Sequence, residues 1–165
     1  MTDKSDVKVS GKVLFGVDYL YFMRTMEIED DDSKKGNMES VVDSVIRFFL
    51  LQWGFSVDEI NKANQLFWEK IENKKLDSSL QPVLDRIVKF VQDDREKQER
   101  LVIEMIAVGS LDNNVTEREL WFAEQMRDKF DLRPSEYQAL ISRGRDWATA
   151  VDYLGNSYIE FNKSH

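Results

Sequence analysis

The sequence predicts an all-α fold, a compact bundle of seven to eight helices. Apolar residues recur at helical spacing through most of the chain, which is typical of amphipathic helices that pack around a core. Capping boxes, in which a helix-start residue is followed three positions later by Glu, are predicted at Ser56–Glu59, Asp93–Glu96 and Thr116–Glu119. No alternating strand pattern is flanked by hairpin turns, which favours helices throughout.

The N-terminal part is expected to lead directly into a central helix. Residues 1–10 are predicted to be a disordered lead, and residues 11–165 a single domain. The first helix is predicted over Val13–Met26. It is apolar around much of its circumference, which indicates a well-buried helix. An acidic loop follows over Glu27–Gly36.

The second and third helices are predicted on either side of a short turn. The second covers Met38–Trp53, with Phe48 and Leu51 among its apolar residues, and Gly54 is well placed to end it. The third begins after the first capping box and continues to Ile71. A polar turn is predicted over residues 73–79.

A fourth helix is predicted to start near Pro82, because proline suits the first turn of a helix. The polar stretch Asp93–Arg100 leaves two alternatives open. It either ends the fourth helix, with Asp93 and Glu96 as the next capping box, or it is the exposed part of one long helix. The next apolar helical segment is Leu101–Val108.

Three helices complete the predicted bundle, over Thr116–Phe130, Pro134–Arg143 and Asp146–Phe161, although Gly155 weakens the middle of the last one. The tryptophans lie at apolar helix positions, which favours places in the core over places in a ligand site. They are Trp53, Trp68, Trp121 and Trp147.

Composition and charge exclude several classes of function. The net charge of −8 argues against nucleic-acid binding, because phosphate contacts need clustered Lys and Arg side chains. The chain has no cysteine, and its single histidine is the last residue, His165, so cysteine- and histidine-based catalysis is not expected. No glycine-rich phosphate loop and no apolar run long enough to span a membrane is present. We expect a cytoplasmic protein without enzymatic activity or an organic cofactor.

The stretch around Asp112 combines a polar turn with a helix start. An apolar helix runs into the turn at residues 111–114, and the next helix begins at residues 116–119. The carboxylates of Asp112 and Glu119, together with loop carbonyls, offer the hard oxygen ligands that Ca²⁺ and Mg²⁺ prefer. The alternative is structural, with Glu119 completing a capping box with Thr116 and Asp112 acting as a turn residue.

The first loop contributes a second group of carboxylates, Asp30, Asp31 and Asp32. They are candidate ligands for the same cation, and the alternative is that they are solvated surface. Neither loop fits an EF-hand, because the position that requires Glu is occupied by Val41 in one loop and Ala123 in the other.

The pattern from Asp112 to Glu119 resembles the motif of the TerB-like helical domains, roughly A-x-x-D-G-x-(I/V)-(S/T/D)-x-x-E. Asp112 and Glu119 match the acidic positions, Val115 the buried aliphatic position and Thr116 the helix cap, whereas Asn113 replaces the usual glycine. The resemblance implies an all-helical protein of tellurite resistance and wider stress responses. It also implies action through metal-ion binding and protein assembly instead of catalysis.

The two halves of the chain align without gaps over residues 39–63 at an offset of 77 residues. This offset places Val45 on Phe122 and Glu59 on Glu136. A duplication predicts two helix–acidic loop–helix units related by a pseudo-twofold axis, with their loops near each other. The alternative is that any two amphipathic helix pairs align in this way.

The resemblance implies a TerB-like protein of stress or tellurite response, and the acidic loops predict that it binds a divalent cation, Ca²⁺ or Mg²⁺, or assists protein assembly. The predicted cation ligands are Asp30, Asp31, Asp32, Asp112 and Glu119. The alternative is a co-chaperone-like protein-interaction module without metal. In either case the expected partners are proteins, including a second copy of the chain.

Overall fold

The computed structural model describes residues 10–25, 35–72, 81–111 and 117–163. Within these ranges the chain forms seven α-helices and no strand, which confirms the all-α prediction for this part of the chain. The helices are α1 Gly11–Thr25, α2 Lys35–Gln52, α3 Val57–Glu72, α4 Gln81–Phe90, α5 Arg95–Ser110, α6 Glu117–Lys129 and α7 Pro134–Lys163.

Three predicted features fall largely outside the described residues: the lead over residues 1–10, the acidic loop over residues 27–36 and the polar turn over residues 73–79. None of the helices in the described ranges combines the length and the apolar character that are needed to cross a membrane.

The short turn between α2 and α3 follows the predicted local rules. Gly54 has a φ of 87°, and its N–H donates to the Leu51 carbonyl at 3.0 Å. The Ser56 Oγ accepts from the Glu59 N–H at 3.1 Å, and the Glu59 carboxylate accepts from the Ser56 N–H at 2.9 Å. Both the glycine stop and the first capping box are therefore confirmed.

The polar stretch after α4 separates two helices. α4 ends at Phe90 and α5 begins at Arg95, which confirms the first of the two predicted alternatives. The cap is Asp94, whose side chain accepts from the Lys97 N–H at 3.1 Å. The prediction of Asp93 as the cap is therefore wrong by one residue.

The last two predicted helices are one continuous helix, α7. The predicted interruption between Arg143 and Asp146 is wrong. Gly144 lies within that interval and is buried against α5, where an added Cβ would lie 2.7 Å from the Ile106 Cβ. The glycine therefore permits close packing of α7 on α5, and the helix continues through it.

The buried apolar side chains of the described residues form one contiguous core. The prediction that the first helix is well buried is confirmed, because Tyr19, Leu20, Phe22 and Met23 are all at most 1% exposed. α1 packs along α3 and α4, and α5 packs along α7.

α1 and α3 run parallel to each other. The Lys12 ammonium lies 3.1 Å from the Glu59 carboxylate near the start of both helices. One turn further along each helix, Gly16 faces Ala63, and a Cβ added to the glycine would lie 3.1 Å from the Ala63 Cβ. The absence of a side chain at Gly16 lets the two helices approach closely.

α5 and α7 form a second parallel pair. Near the start of both helices, the Arg95 guanidinium lies 3.1 Å from the Glu136 carboxylate. Further along, Ile106 packs against Gly144. In each parallel pair a basic residue contacts a glutamate at one end and a glycine allows close packing at the centre.

Candidate functional site

The predicted cation ligands lie outside the described side chains. Asp30, Asp31, Asp32 and Asp112 fall outside the described residues altogether. Glu119 falls in the first turn of α6, but its side chain is not among those described. Among the side chains that are described, no three Asp, Glu, His or Cys groups are arranged to hold a metal ion. The cation site therefore stays a prediction.

The described helix ends next to the two acidic loops lie near each other. The ring of Phe22, three residues before the end of α1, contacts the ring of Phe122 in α6 at a centroid distance of 4.6 Å. Phe122 is five residues from the start of α6 at Glu117. Because a helix advances about 1.5 Å per residue, both ends lie within about two helical turns of this contact.

One carboxylate, Glu104, is buried where α1, α2 and α5 meet, and its side chain is 4% exposed. Its Oε1 accepts from the Tyr19 hydroxyl at 2.7 Å and from the Trp53 Nε1–H at 2.6 Å. Its Oε2 accepts from the Arg100 Nε–H at 2.8 Å. Both oxygens are therefore bonded, and we call these four side chains the Glu104 junction.

Arg100 also joins the junction to the C-terminus of α2. Its guanidinium donates to the Gln52 carbonyl at 2.9 Å and to the Phe49 carbonyl at 3.4 Å. It also lies over the Trp53 ring, 4.9 Å from the centroid. A helix C-terminus carries unpaired carbonyls and a partial negative charge, so a cation there is stabilising. Arg100 therefore pairs with Glu104 and caps α2 at the same time.

Burial and hydrogen bonding act in opposite directions on the Glu104 carboxyl. Burial raises the pKa of Glu104, and the bonds from Trp53, Arg100 and Tyr19 offset part of this rise. Burial also raises the pKa of Tyr19 well above its ordinary value, and the nearby Glu104 adds to that rise. Tyr19 therefore remains a hydrogen-bond donor, and the junction is a satisfied buried network that fixes three helices.

The outer face of α2 presents a different arrangement. Phe48 and Leu51, one turn apart, are 46% and 48% exposed. The Phe48 ring lies 6.0 Å from the ring of the half-buried Trp147 on α7, which also contacts the buried Phe49 at 4.7 Å. We call Phe48, Leu51 and Trp147 the Phe48 cluster. It joins two exposed apolar side chains of α2 to a half-buried tryptophan of α7.

Two arginines border the Phe48 cluster. Arg47 is four residues before Leu51 on α2, and Arg143 is four residues before Trp147 on α7, so each shares a helix face with a cluster residue. Both arginines are exposed, and neither forms an ion pair within the described part of the chain. Asp146, beside Trp147 in sequence, is also exposed. The cluster therefore has a mainly basic border.

The exposure of this cluster was not predicted from the sequence. The expectation that the tryptophans lie in the core is also wrong for Trp68 and Trp121, which are 47% and 38% exposed. The available signal was the run Phe-Phe-Leu-Leu at residues 48–51, because four consecutive apolar residues are wider than one face of a helix.

The Glu104 junction was missed as well. Its signal is a glutamate inside the apolar run Leu-Val-Ile-Glu-Met-Ile at residues 101–106, with Arg100 four residues before it. A charge in an apolar stretch needs a partner when it is buried, and Arg100 is placed to supply one.

Comparison of the chain with protein-family models gives no match, and comparisons with curated proteins and with solved structures give none either.

Proposed function

We propose that this chain is a TerB-like helical protein that acts by binding other proteins and not by catalysis. The observation that supports this proposal best is the Phe48 cluster. Single exposed apolar residues are common on protein surfaces, but contiguous apolar patches often mark binding sites. Here the Phe48 ring of α2 lies 6.0 Å from the Trp147 ring of α7, and the exposed Leu51 lies one turn further along α2.

The Glu104 junction supports the non-catalytic part of the proposal. A carboxylate that acts as a general acid or base must reach a substrate proton with a free oxygen. Both oxygens of Glu104 accept hydrogen bonds from neighbouring helices, and the side chain is 4% exposed. This carboxylate therefore serves the packing of α1, α2 and α5.

We also infer that α1–α3 and α5–α7 arose by duplication, and the ends of α2 and α6 support this. Gly54 and Asp131 both have positive φ, 87° and 52°. The next residues, Phe55 and Leu132, each donate an N–H to the carbonyl five residues earlier at 3.0 Å. These pairs of positions correspond at the 77-residue offset.

The starts of α3 and α7 add support for the duplication. Glu59 and Glu136 correspond at the same offset, and each accepts from the backbone N–H three residues earlier. Each also pairs with a basic residue of the parallel helix, Lys12 on α1 and Arg95 on α5. Correspondence of caps and ion pairs is a more specific similarity than amphipathic patterning.

Binding of a divalent cation by the acidic loops is the second candidate function. The contact between Phe22 and Phe122 favours it, because the helix ends next to both loops lie close together. Each loop joins a helix C-terminus, which favours a cation, to a helix N-terminus, which repels one, so several carboxylates are needed to outweigh the second effect. In this proposal Asp30–Asp32 share one Ca²⁺ or Mg²⁺ ion with Asp112 and Glu119.

Site-specific photo-cross-linking in cells tests the protein-binding function. A photoreactive amino acid replaces Leu51, and the matched control carries it at Lys62, an exposed position on α3. We expect discrete protein adducts from Leu51 that are missing from the Lys62 control. The proposal fails if Leu51 yields no adduct, or if both positions yield the same set.

Thermal unfolding tests the cation function. At a free-ion concentration about 100 times the Kd, binding stabilises the native state by about 2.7 kcal/mol. For a chain of this size that raises the Tm by about 5–10 °C. Matched NaCl controls for screening, and Asp112→Asn should remove the ion-specific part. Equal shifts with CaCl₂, MgCl₂ and matched NaCl would exclude the site.

A further inference from the structure

On the basis of the proposed protein-binding function, we infer that the Phe48 cluster binds an amphipathic helix whose apolar stripe is bordered by Asp and Glu side chains. The apolar part of this partner contacts Phe48, Leu51 and Trp147. Its acidic side chains contact Arg47 and Arg143. The partner segment therefore has an apolar stripe with acidic side chains directly beside it.

The positive charge at the border of the cluster favours an acidic partner. The chain carries a net charge of −8, so an acidic partner is repelled by most of its surface. Arg47 and Arg143 reverse this locally, because Arg47 shares a helix face with the exposed Leu51 and Arg143 shares one with the half-buried Trp147. The exposed Asp146 offsets only one of the two positive charges.

The ion pairs that the other arginines form also favour an acidic partner. Carboxylates outnumber basic groups in this chain, and many described arginines already contact one. Six do so: Arg24, Arg86, Arg95, Arg100, Arg127 and Arg133. Arg47, Arg143 and Arg145 form no ion pair within the described residues, and of these Arg47 and Arg143 share a helix face with the cluster, so their guanidinium groups are available to carboxylates of a partner.

The same charges disfavour a second copy of the chain as the occupant. In a twofold symmetric dimer the same patch faces itself, which would bring the arginines of one copy towards those of the other. Like charges that face each other across an interface are destabilising.

The arrangement of the apolar residues favours a helix as the bound segment. Phe48 and Leu51 come from α2 and Trp147 from α7, so the apolar surface lies across the line where two helices meet. A helix that places apolar residues at positions i, i+3 or i+4 and i+7 fits such a surface with one face. Its flanking positions then lie over Arg47 and Arg143.

A display selection tests the charge and the shape together. The library consists of peptides about four helical turns long, with apolar residues at helical spacing and random residues elsewhere. The full chain is the bait, and Leu51→Ser is the bait that lacks the apolar contact. A third bait, Arg47→Glu combined with Arg143→Glu, reverses the charge of the border and keeps the cluster.

The inference predicts that the wild-type chain selects a pool enriched in Asp and Glu. A peptide from this pool should bind the charge-reversed chain about tenfold more weakly, since two exposed pairs become repulsive. The charge-reversed chain should select peptides rich in Lys and Arg. A Leu51-dependent pool without charge preference overturns the inference and leaves the protein-binding function standing.

If no pool depends on Leu51, both the inference and the proposed function fail. Sedimentation of the wild-type and Leu51→Ser chains identifies the other occupant. A wild-type dimer that Leu51→Ser converts to a monomer would show that a second copy covers the cluster, and it would overturn the inference.

Discussion

The inner and outer sides of α2 both carry large apolar or aromatic side chains, but those on the inner side are packed against the core and those on the outer side are exposed. On the inner side, Trp53, the residue that directly follows α2, is packed against the core and donates its N–H to the buried Glu104 at 2.6 Å. On the outer side, Phe48 and Leu51 are each nearly half exposed. The Glu104 junction is polar and buried with its hydrogen bonds made, whereas the Phe48 cluster is apolar and faces water.

The residues of the Glu104 junction stabilise the fold, whereas those of the Phe48 cluster are available to bind a partner. The buried carboxylate is tolerated because three donors satisfy it, one of which is the cationic Arg100 guanidinium. Exposed apolar surface does not stabilise the fold. Its removal from water when a partner binds is favourable by a free energy of about 25 cal/mol per Å². The junction should therefore control stability and the cluster should control binding.

The largest expected effect is that of Glu104→Ala. The substitution leaves Tyr19 and Trp53 without an acceptor and Arg100 without its carboxylate. Leaving a buried donor without its acceptor costs about 1–3 kcal/mol of unfolding free energy, and Tyr19 and Trp53 both lose theirs. Urea unfolding measures this loss. In Glu99→Ala, the control, an exposed pair is removed and the loss should be about 0.5 kcal/mol.

An equal loss in the Glu104→Ala and Glu99→Ala variants would mean that the junction contributes no more than a surface pair.

Gly144→Ala should have the next largest effect. The new Cβ would lie 2.7 Å from the Ile106 Cβ and 2.8 Å from the Ile103 carbonyl oxygen, and a backbone atom cannot move away cheaply. Overpacking of this kind costs about 1–3 kcal/mol. Gly11→Ala is the control, since nothing lies within 4 Å of its Cβ and alanine favours the helix. A stabilised Gly144→Ala chain would contradict the close α5–α7 packing.

The pH dependence of stability separates the junction from the exposed carboxylates. The native pKa of Glu104 is raised from the ordinary value of 4.5, so the native state binds more protons than the unfolded state between the two pKa values. Stability from this group is complete below 4.5 and falls as the pH rises through the native pKa. Each pKa unit is worth about 1.4 kcal/mol.

The corresponding measurement is the difference in unfolding free energy between the wild-type chain and Glu104→Gln across this pH range. The difference should shift against the wild type as the pH rises. Glu59 should behave in the opposite way, because hydrogen bonds from the Ser56 N–H and from Lys12 lower its pKa. A pH-independent difference for Glu104→Gln would mean that its native and unfolded pKa values are equal.

The smallest expected effect on stability comes from the Phe48 cluster. Leu51→Ala should change the unfolding free energy by less than about 0.5 kcal/mol, because Leu51 is 48% exposed. Its neighbour Leu50 is fully buried, and Leu50→Ala should cost about 3–5 kcal/mol. Similar losses for the two adjacent leucines would place the cluster in the core and remove the distinction.

Much of the fold could be predicted because local chemistry determines it. The stop at Gly54 and the capping box from Ser56 to Glu59 depend on residues within a few positions of each other. The continuity of α7 could not be predicted in this way. It depends on Gly144 packing against α5, a contact between distant parts of the chain.

The candidate binding surface could be predicted only in part. The run at residues 48–51 is too wide for one helix face, but periodicity does not decide which residue faces solvent. That depends on where α7 places Trp147, which packs on Phe49 and leaves Phe48 and Leu51 exposed. The acceptor for Trp53 likewise comes from α5.

The most direct test measures the photo-cross-linking yield from Leu51 in two variant chains, Glu104→Gln and Phe48→Ser. Both are compared with the wild-type background at a temperature where circular dichroism shows that they are folded. The account predicts that Glu104→Gln keeps the wild-type adducts, because the junction lies on the other side of α2. It predicts that Phe48→Ser loses them. Loss in the Glu104→Gln chain with retention in the Phe48→Ser chain would contradict the separation of stability from binding.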